Sequence, residues 1–320
     1  MEKMKCRDGV RARPGMYIGD VHKASGANHM VLELLANVID QFLSGNATRC
    51  DIELQDYHLT ISDDGPGLPF DVQADHGTIS QIEYNLENPH FGPTAQGHSP
   101  HVHLVFKGVG LAVVNILCSK FTVVSRNGQH SWSHVYEQGL PVGQPTKAED
   151  KGNSGTRLVL HLDQEIFQCP PDPSAIRLLL QEQSHLFPGL KIVFDGSTFF
   201  HQRGLISLAE NLCQGDVQPA FWHRKKHADF WIDLALAGSG TTPQVTRSWV
   251  NGVLTKDGGT HQNALERALE QTGWAPEVSL LNLVMLRPEF AGPTKDKLIA
   301  LSLEGPLEKA FIKALTADPA

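Results

Sequence analysis

The 320-residue sequence lacks the features that mark secreted, membrane-spanning and disulfide-bonded proteins. Its five cysteines are scattered and form no CxxC pair, so neither a disulfide framework nor a zinc knuckle is indicated. No run of about 18 apolar residues occurs, and the N-terminal stretch has no apolar segment of the signal-peptide type. We therefore expect a cytoplasmic protein that makes no membrane contact.

An excess of positive charge is also missing, because 27 lysines and arginines stand against 35 aspartates and glutamates. The formal net charge of −8 argues against a protein that grips DNA mainly through bulk charge, although a local basic patch is compatible with it. The length allows one large domain or two of ordinary size, and an apolar content of 41% allows a substantial core.

The most informative segment that is present is an apolar helix with polar residues along one stripe. His29, Glu33 and Asn37 are spaced four residues apart, and Asp40 follows three residues later. On a 3.6-residue period these side chains share one face of a helix that is otherwise apolar and therefore largely buried. Because buried polar groups need partners, a carboxylate and an amide one turn apart suggest a site for a metal ion or a reacting water.

A glycine-containing turn follows the second predicted strand. Its sequence is Asp63-x-Gly65-x-Gly67, in which the glycines permit a tight turn and the close approach of a flat ligand. The Asp63 carboxylate suits an amino group such as that of adenine. The same residues also fit an ordinary Asp-Gly turn, so this segment alone leaves both interpretations open.

Two further glycine segments lie downstream. Gly108-x-Gly110 precedes a predicted helix, where backbone amides and the helix dipole favour an anion, and Lys107 adds a cation for phosphate. Gly155-Thr156 opens a strand, where glycine permits close backbone approach and the threonine hydroxyl is a hydrogen-bond donor. Each of these signals is weak when taken alone.

Hydrophobic periodicity and turn residues predict the order of the elements and two domains. Residues 1–20 look basic and turn-like, and residues 88–103 look like a mobile loop. The predicted helices are 28–44, 78–87, 111–119, 173–186, 204–213, 259–272 and one at the C-terminus. The predicted strands are 49–54, 58–62, alternating strands within 121–137 and 156–162, and then 191–195, 229–236, 244–254 and 278–287. We expect an α+β domain over 1–215 and a smaller α/β domain over 216–320.

Taken together and in this order, the segments resemble the GHKL ATPases, and most closely the gyrase B and topoisomerase IV type. The segments that carry the resemblance are RPGMYIG (13–19), NHMVLELLANVIDQFLSG (28–45), DDGPGLP (63–69), FKGVGLAVVNIL (106–117), SWVNGVLTKDGGTH (248–261) and GPTKDKL (292–298). The resemblance implies an α+β fold, in which a GHKL (Bergerat) ATPase sandwich of a mixed sheet and helices is followed by a smaller α/β domain of transducer type.

The resemblance also implies a role for each matching residue. Glu33 corresponds to the general base that activates the attacking water, and His29 to the histidine that pairs with it. Asn37 corresponds to the magnesium ligand, and Lys295 to the lysine that reaches the γ-phosphate from the second domain. The implied nucleotide-binding residues are Asn37, Asp40, Asp63 as the adenine reader, Gly65, Gly67, Lys107, Gly108, Val109, Gly110, and Thr156 as the helper of Asp63.

Several positions depart from the family pattern. Gln41 and Pro66 replace a glutamate and an arginine that form a salt bridge at the pocket mouth in gyrase B. Because coumarin-type inhibitors rely on that arginine, we predict that they bind weakly here. Ala36 replaces an aspartate, Lys107 a histidine, and Pro293 a glutamine that contacts the γ-phosphate. We therefore expect the lid over about 88–107 to be unusual.

The two ends of the sequence carry further expectations. The sequence begins close to RPGMYIG, which leaves little room for the family's N-terminal arm that locks two ATP-bound protomers together. It ends early in the last transducer helix, before any TOPRIM segment or cleavage domain. We expect a weakened nucleotide-driven homodimer and no DNA cleavage by this chain alone, whether it is a piece of a longer protein or a naturally short relative.

Three functions compete at this point. The first is a Mg²⁺-dependent ATPase module of gyrase B type, with ATP and Mg²⁺ as ligands and DNA or a topoisomerase-like protein as a partner. The second is a nucleotide-binding regulator or scaffold with weak or no hydrolysis, which the altered lid and Pro293 favour. The third, a histidine-kinase-like phosphotransfer protein, is disfavoured because no phosphoacceptor helix pair is apparent.

The histidines at 90, 98, 101 and 103 fit a flexible polar loop better than a metal site.

Overall fold

The computed structural model describes residues 2–73, 79–88, 110–239, 245–286, 288–292 and 295–317. The described chain divides into two compact units. The first unit contains the described residues up to Ser184, together with Gly189–Phe200. The second unit contains His185–Pro188 and the described residues from His201 onward.

The first unit is built on a mixed eight-stranded sheet with the order β5-β4-β3-β6-β2-β1-β7-β8. Its strands are β1 (Arg49–Gln55), β2 (His58–Asp63), β3 (Cys118–Arg126), β4 (His130–Glu137), β5 (Leu140–Glu149), β6 (Gly155–Leu162), β7 (Lys191–Phe194) and β8 (Ser197–Phe199). Neighbouring strands are antiparallel except for the parallel pair β1–β7. Its helices are α1 (Glu2–Ala12), α2 (Gly15–Ile18), α3 (Ala24–Leu43), α4 (Gln81–Glu87), α5 (Gly110–Ile116) and α6 (Pro173–Leu186), which ends within the second unit.

Helix α3 is the central helix of the first unit. The prediction of a helix over 28–44 is confirmed, and the helix begins four residues earlier, at Ala24. Its apolar side chains are almost inaccessible to solvent, as in Met30, Val31, Leu34, Leu35 and Ile39. This apolar surface fixes the rotation of α3, which in turn determines where its polar stripe lies.

The N-terminal segment differs from its prediction, because Glu2–Ala12 and Gly15–Ile18 form helices α1 and α2 where a turn-like stretch was predicted. Arg11 anchors α1 by donating hydrogen bonds to the carbonyl oxygen of Ile116 (2.9 Å) and to the buried carboxylate of Asp163 (2.6 Å). Arg7 donates to the carbonyl oxygen of Gln138 at 2.8 Å. These partners are more than 100 residues away in sequence, so local periodicity could not reveal them.

The second unit contains a five-stranded sheet with the order β12-β11-β13-β10-β9. Its strands are β9 (Ala220–Lys226), β10 (Phe230–Ala237), β11 (Val245–Val250), β12 (Val253–Leu254) and β13 (Val278–Met285), and its helices are α7 (Leu205–Leu212), α8 (Thr260–Thr272) and α9 (Glu304–Thr316), with a 3₁₀ turn at Leu301–Leu303. Alternate apolar residues of β10 and β13 form a core with α8 and α9. Within the described residues, no helix is both long enough and apolar enough to cross a lipid bilayer.

Apart from His185–Pro188, the second unit begins at His201, so residues 201–215 lie in it, whereas the sequence prediction put them in the first domain. The reason is helix α7, which packs against β9, β10 and β13 of the second sheet. Another predicted helix, 111–119, ends at Ile116, and the chain enters β3 at Cys118. Strands β5, β8 and β9 were not predicted. All three are edge strands, and their exposed or charged residues do not show the alternation of a half-buried strand.

Candidate functional site

The polar stripe of α3 lies partly buried in the first unit. Glu33 and Asp40 are each 8% exposed, whereas His29 is half-buried and Asn37 is exposed. His29 Nε2 lies 3.4 Å from Glu33 Oε1. That distance is within ion-pair range, but the geometry is not that of a hydrogen bond, and the described residues offer His29 Nε2 no other hydrogen-bond partner. The imidazole therefore lies against the Glu33 carboxylate without locking it.

The backbone at the start of α5 approaches the Glu33 carboxylate closely. A Cβ atom at Gly110 would lie 2.8 Å from Glu33 Oε2, closer than real Cβ contacts allow. The structure thus brings together two predicted site residues that are 77 positions apart in sequence. Any side chain at 110 would displace the Glu33 carboxylate.

Asn37 presents an amide oxygen to solvent one turn after Glu33. Its Nδ2 atom donates to the carbonyl oxygen of Glu33 at 3.3 Å, so the amide oxygen is the atom left to contact a ligand. Within the described ranges, no three histidine, cysteine, aspartate or glutamate side chains are grouped as a metal site made of protein alone would need. A single hard oxygen ligand fits Mg²⁺, because Mg²⁺ retains several waters and takes other ligands from phosphates.

Asp63 closes β2 and faces Thr156, its partner in β6. Burial raises the pKa of Asp63, and hydrogen bonds from Gly65 and Thr156 offset this only in part. The Gly65 backbone N–H donates to Asp63 Oδ1 at 2.9 Å. Asp63 is therefore a largely desolvated carboxylate, and Gly65 and Thr156 fix its orientation. Gly67 follows in the same turn with φ +80°.

The neighbouring carboxylate, Asp64, has a different role. It accepts hydrogen bonds from the backbone N–H groups of Thr48 (2.7 Å) and Arg49 (2.8 Å), and from the Thr48 hydroxyl. Desolvation raises the pKa of Asp64, but these hydrogen bonds outweigh it and the net pKa is lowered. Asp64 connects the turn to the start of β1 through these hydrogen bonds. Asp63 is therefore the carboxylate of this turn that can accept a hydrogen bond from a ligand.

Gly155 is required where β6 passes beside this turn. Its φ is +148°, and a Cβ atom there would overlap the carbonyl oxygen of Asp63. Ser125 in β3 lies opposite Thr156 and holds the segment after the turn, since its hydroxyl bonds both the N–H (2.8 Å) and the carbonyl oxygen (3.1 Å) of Leu68. Ser125 carries no sequence signal, because its partner is 57 residues away.

The residues at the predicted pocket mouth are uncharged. Gln41 Oε1 accepts a hydrogen bond from Asn46 Nδ2 at 3.2 Å, and Pro66 is exposed. Asp40 is buried on α3, one residue before Gln41, and its backbone carbonyl accepts from the Ser44 hydroxyl.

Lys295 belongs to the second unit, whereas the other described candidates belong to the first. It is half-buried, it adopts φ +59°, and its Nζ atom lies 5.9 Å from the centroid of the Phe290 ring. The remaining predicted features lie outside the described residues: Lys107, Gly108, Val109, Pro293, the four loop histidines and most of the 88–107 lid.

Comparisons with known proteins identify the family of the first unit's sequence. Residues 22–166 match the sequence model of the family described as histidine kinase-, DNA gyrase B- and HSP90-like ATPase. The chain is 31% identical to the DNA gyrase B protein of Thermus thermophilus, over 92% of this chain and 52% of that protein. It is also 31% identical to the DNA topoisomerase 4 B protein of Mycoplasma genitalium, over 81% of this chain and 42% of that protein. The chain thus spans about half the length of these curated relatives.

Solved structures support the same assignment. The 43K ATPase domain of Thermus thermophilus gyrase B, in complex with an aminocoumarin, matches with a TM-score of 0.79 and 26% identity, over 97% of this chain and 88% of that one. The topoisomerase IV ATP-binding domain of Francisella tularensis, 22% identical over 97% of this chain and 90% of that one, shares the fold with a TM-score of 0.79. The predicted α+β fold of GHKL type is confirmed. Residues 22–166 therefore form a domain of the GHKL ATPase family, and the chain as a whole is similar to proteins of the gyrase B and topoisomerase IV B type.

Proposed function

We propose that this protein binds ATP in its first unit and hydrolyses it in a Mg²⁺-dependent reaction, as a module of gyrase B type. One observation carries the proposal: the buried Glu33 carboxylate lies between His29 and the main chain of Gly110, one turn before the exposed Asn37. A carboxylate held in this way is suited to take a proton from a positioned water.

Nucleotide recognition is proposed to use the turn after β2. The Asp63 carboxylate would accept a hydrogen bond from the adenine amino group, and Thr156 would keep that carboxylate oriented. A hydrogen bond to a charged acceptor contributes about 1.5–3 kcal/mol. Gly110, with Lys107, Gly108 and Val109 before it, would contact the phosphates.

The metal part of the proposal rests on Asn37. Its amide oxygen would be the protein ligand to Mg²⁺, and bound Mg²⁺ supplies positive charge that neutralises the phosphate oxygens. Asp40, buried on the same helix, is proposed to belong to the nucleotide-binding set without being a metal ligand.

In the hydrolytic step, Glu33 would accept a proton from the attacking water as the water oxygen bonds to the γ-phosphorus. The bond to the oxygen bridging the β- and γ-phosphates breaks, and ADP carries away the electron pair. His29, whose Nε2 atom lies 3.4 Å from the carboxylate, is proposed to pair with this base. Lys295 would stabilise the charge that develops on the γ-phosphate.

The partners are proposed from the chemistry and names of the relatives. DNA gyrase and topoisomerase proteins are what this chain is similar to, so we propose DNA or a topoisomerase-like protein as a partner. We also propose that the protein forms a homodimer when it binds nucleotide and that it is located in the cytoplasm.

Calorimetry and phosphate release together test the proposal. We expect ATP to bind, and we expect phosphate release that stops when Mg²⁺ is chelated. The assay is run across protein concentrations, with and without DNA, because a rate per chain that rises with concentration indicates catalysis by a dimer. Binding without phosphate release above background, under all these conditions, would instead identify the regulator or scaffold. Absence of ATP binding would remove both functions.

A further inference from the structure

Lys295 lies at the turn of a short antiparallel ribbon in the second unit. We call residues 289–299 the lysine loop; positions 293 and 294 are outside the described residues. Its arms are paired by hydrogen bonds from the Ile299 N–H to the Glu289 oxygen (2.8 Å) and from the Ala291 N–H to the Lys297 oxygen (2.9 Å), and by a bridge between Phe290 and Leu298. The ribbon defines where the backbone of Lys295 lies within the second unit.

The backbone of Lys295 adopts a conformation that non-glycine residues rarely use. Its φ of +59° is left-handed, and its N–H donates to the carbonyl oxygen of Gly292 at 3.2 Å. Such a conformation costs about 1–3 kcal/mol and persists only where the surroundings hold it. The surroundings of the lysine loop therefore decide whether Lys295 keeps this position.

One arm of the lysine loop is held by residues 257–261, which we call the DGGTH segment. The Leu298 N–H donates to the Gly258 oxygen (3.0 Å), and the Thr260 N–H donates to the Leu298 oxygen (3.0 Å). Gly259 forms a parallel bridge with Leu298, and a Cβ atom at Gly259 would overlap the Leu298 backbone. Two motifs that are about 35 residues apart in sequence are thus one hydrogen-bonded structure.

The Thr260 side chain adds two further hydrogen bonds to the same arm. Its hydroxyl donates to the Leu298 oxygen at 3.3 Å and accepts from the Ala300 N–H at 3.1 Å. Thr260 is 4% exposed, and Leu298 is fully buried in the core of the second unit. The Thr260 hydroxyl therefore fixes the register between the lysine loop and helix α8, in which Thr260 is the first residue.

The histidine of the DGGTH segment, His261, bonds to a residue outside the lysine loop. Burial lowers the pKa of His261 to about 4, so its ring is neutral near pH 7. Its Nε2 atom lies 3.2 Å from the hydroxyl of Thr255, away from the lysine loop. The threonine and the glycines of the segment, rather than its histidine, contact the loop.

We propose that Thr260 is a positioning residue for Lys295. Thr260 affects the catalytic rate by keeping Lys295 in place and does not itself contact ATP. The inference rests on the proposed function, in which Lys295 stabilises charge on the γ-phosphate. A lysine that is misplaced by about 1 Å loses up to about a hundredfold in rate, because transition-state contacts depend steeply on distance. Releasing the Leu298 arm would allow such displacements while leaving the nucleotide-binding residues of the first unit unchanged.

The test compares Thr260→Val with Thr260→Ser and with a matched control, Thr272→Val. Thr272 is the last residue of α8, and its hydroxyl donates to the backbone oxygens of Ala268 (2.7 Å) and Leu269 (3.3 Å), so its loss removes a hydrogen-bonded threonine hydroxyl from the other end of the same helix. We expect Thr260→Val to lower kcat about tenfold or more, with the Kd for ATP unchanged within about twofold, because only positioning is lost. Thr260→Ser and Thr272→Val should both keep kcat near the wild-type value.

Lys295→Ala, measured in parallel, separates the possible failures. If Lys295→Ala lowers kcat but Thr260→Val behaves like Thr272→Val, the positioning inference is overturned and the proposed function stands. If Lys295→Ala leaves kcat unchanged, the role of Lys295 fails and the inference fails with it. Thr260→Ala replaces the valine variant if the latter does not fold. Faster amide exchange of Ala300 in the Thr260→Val variant than in the Thr272→Val variant is the expected structural result, because the Ala300 N–H donates to the Thr260 hydroxyl.

Discussion

The two units hold their proposed functional groups in contrasting ways. In the first unit, Glu33 and Asn37 project from a 20-residue helix, and Asp63 closes a strand in the middle of an eight-stranded sheet. In the second unit, Lys295 lies on a loop in a left-handed conformation. Five hydrogen bonds join the DGGTH segment to the chain that follows Lys295, including one from the Asp257 N–H to the Asp296 oxygen at 2.8 Å. The proposed base, the proposed Mg²⁺ ligand and the proposed adenine contact therefore lie on regular elements, whereas the proposed catalytic lysine lies on a loop.

This difference changes what substitutions should do. In the first unit, a substitution at Glu33 or Asp63 acts by removing a group, because α3 and β2 keep their positions. In the second unit, a substitution that leaves Lys295 in place can still displace it by releasing the lysine loop. Variants that remove a proposed functional side chain and variants that change the residues packed around one therefore test this difference between the units separately.

The largest effect is expected for Glu33→Ala. Loss of a general base lowers turnover about 10²–10⁴-fold, while ATP binding persists because Asp63 and the phosphate contacts remain. Steady-state phosphate release and calorimetry measure the two quantities. Glu53→Ala, which removes an exposed glutamate of β1, is the control and should leave turnover unchanged. Equal turnover in both variants would remove the proposed base.

The next effect is expected for Lys295→Ala. Removal of one charge-stabilising donor lowers kcat about 10²–10³-fold. Lys297→Ala removes an exposed lysine from the same loop, two residues away, and should keep kcat within about twofold because its side chain has no proposed role. A similar loss in both variants would mean that general loop charge, rather than Lys295, is what matters.

The next prediction concerns the free energy of unfolding, which should depend on pH through Asp233, a buried carboxyl group of the second unit. Burial raises the pKa of Asp233 from 3.8 to about 6, and a hydrogen bond from Trp222 only partly offsets this. A raised pKa stabilises the fold below about pH 3.8, and that stabilisation is lost as the pH rises through about 6. The stability difference between Asp233→Asn and the wild type should therefore change by about 3 kcal/mol between pH 3.5 and 7, in favour of the variant at pH 7.

Urea unfolding followed by tryptophan fluorescence measures this difference, because four of the five tryptophans lie in the second unit. Comparison with the wild type at each pH is necessary, since His261 pulls the opposite way. Its lowered pKa gives stability above pH 6.5 that is lost as the pH falls towards about 4. Asp229→Asn, an exposed position, is the control. A difference that is constant with pH would contradict the assignment of Asp233 as a destabilising buried charge.

A smaller effect is expected where β6 supports Asp63. Gly155→Ala would press a Cβ atom onto the Asp63 carbonyl oxygen, and such overpacking costs about 1–3 kcal/mol. If the strain displaces Asp63, ATP affinity falls about tenfold. Gly128→Ala is the matched control, because Gly128 also has a positive φ but no atom closer than 4.0 Å to the added Cβ. Equal affinities in the two variants would show that Asp63 tolerates displacement.

The last prediction concerns the uncharged mouth of the pocket. The gyrase B domain of similar structure was solved in complex with an aminocoumarin. In this chain, Gln41 and Pro66 stand where a glutamate and an arginine are usual, so we expect novobiocin to bind only weakly. A titration that gives a nanomolar Kd would contradict this.

The sequence was most predictive where structure depends on local pattern. The period of α3 and the glycine turn after β2 were enough to single out Glu33, Asn37 and Asp63 as candidates, and the structure has the helix and the strand that carry them. Edge strand β9 was missed because its Arg224, Lys225 and Lys226 do not alternate with apolar residues.

Long-range partners were beyond local reasoning. Arg11 donates a hydrogen bond to Asp163, and Thr260 donates one to Leu298. Both bonds join residues that are far apart in sequence and meet only in the folded chain. The DGGTH and TKDK segments were both recognised as hallmarks, yet nothing in their spacing predicted that one supports the other.

The most direct test of the central claim follows the fate of ATP bound to Glu33→Ala. Radiolabelled ATP is bound to excess protein with Mg²⁺, and the complex is quenched at intervals. We predict that the wild type converts bound ATP to ADP and phosphate within its turnover time, while the variant retains intact ATP over a period at least about a hundred times longer. Conversion at the wild-type rate in the variant would contradict the assignment of Glu33 as the group that activates water.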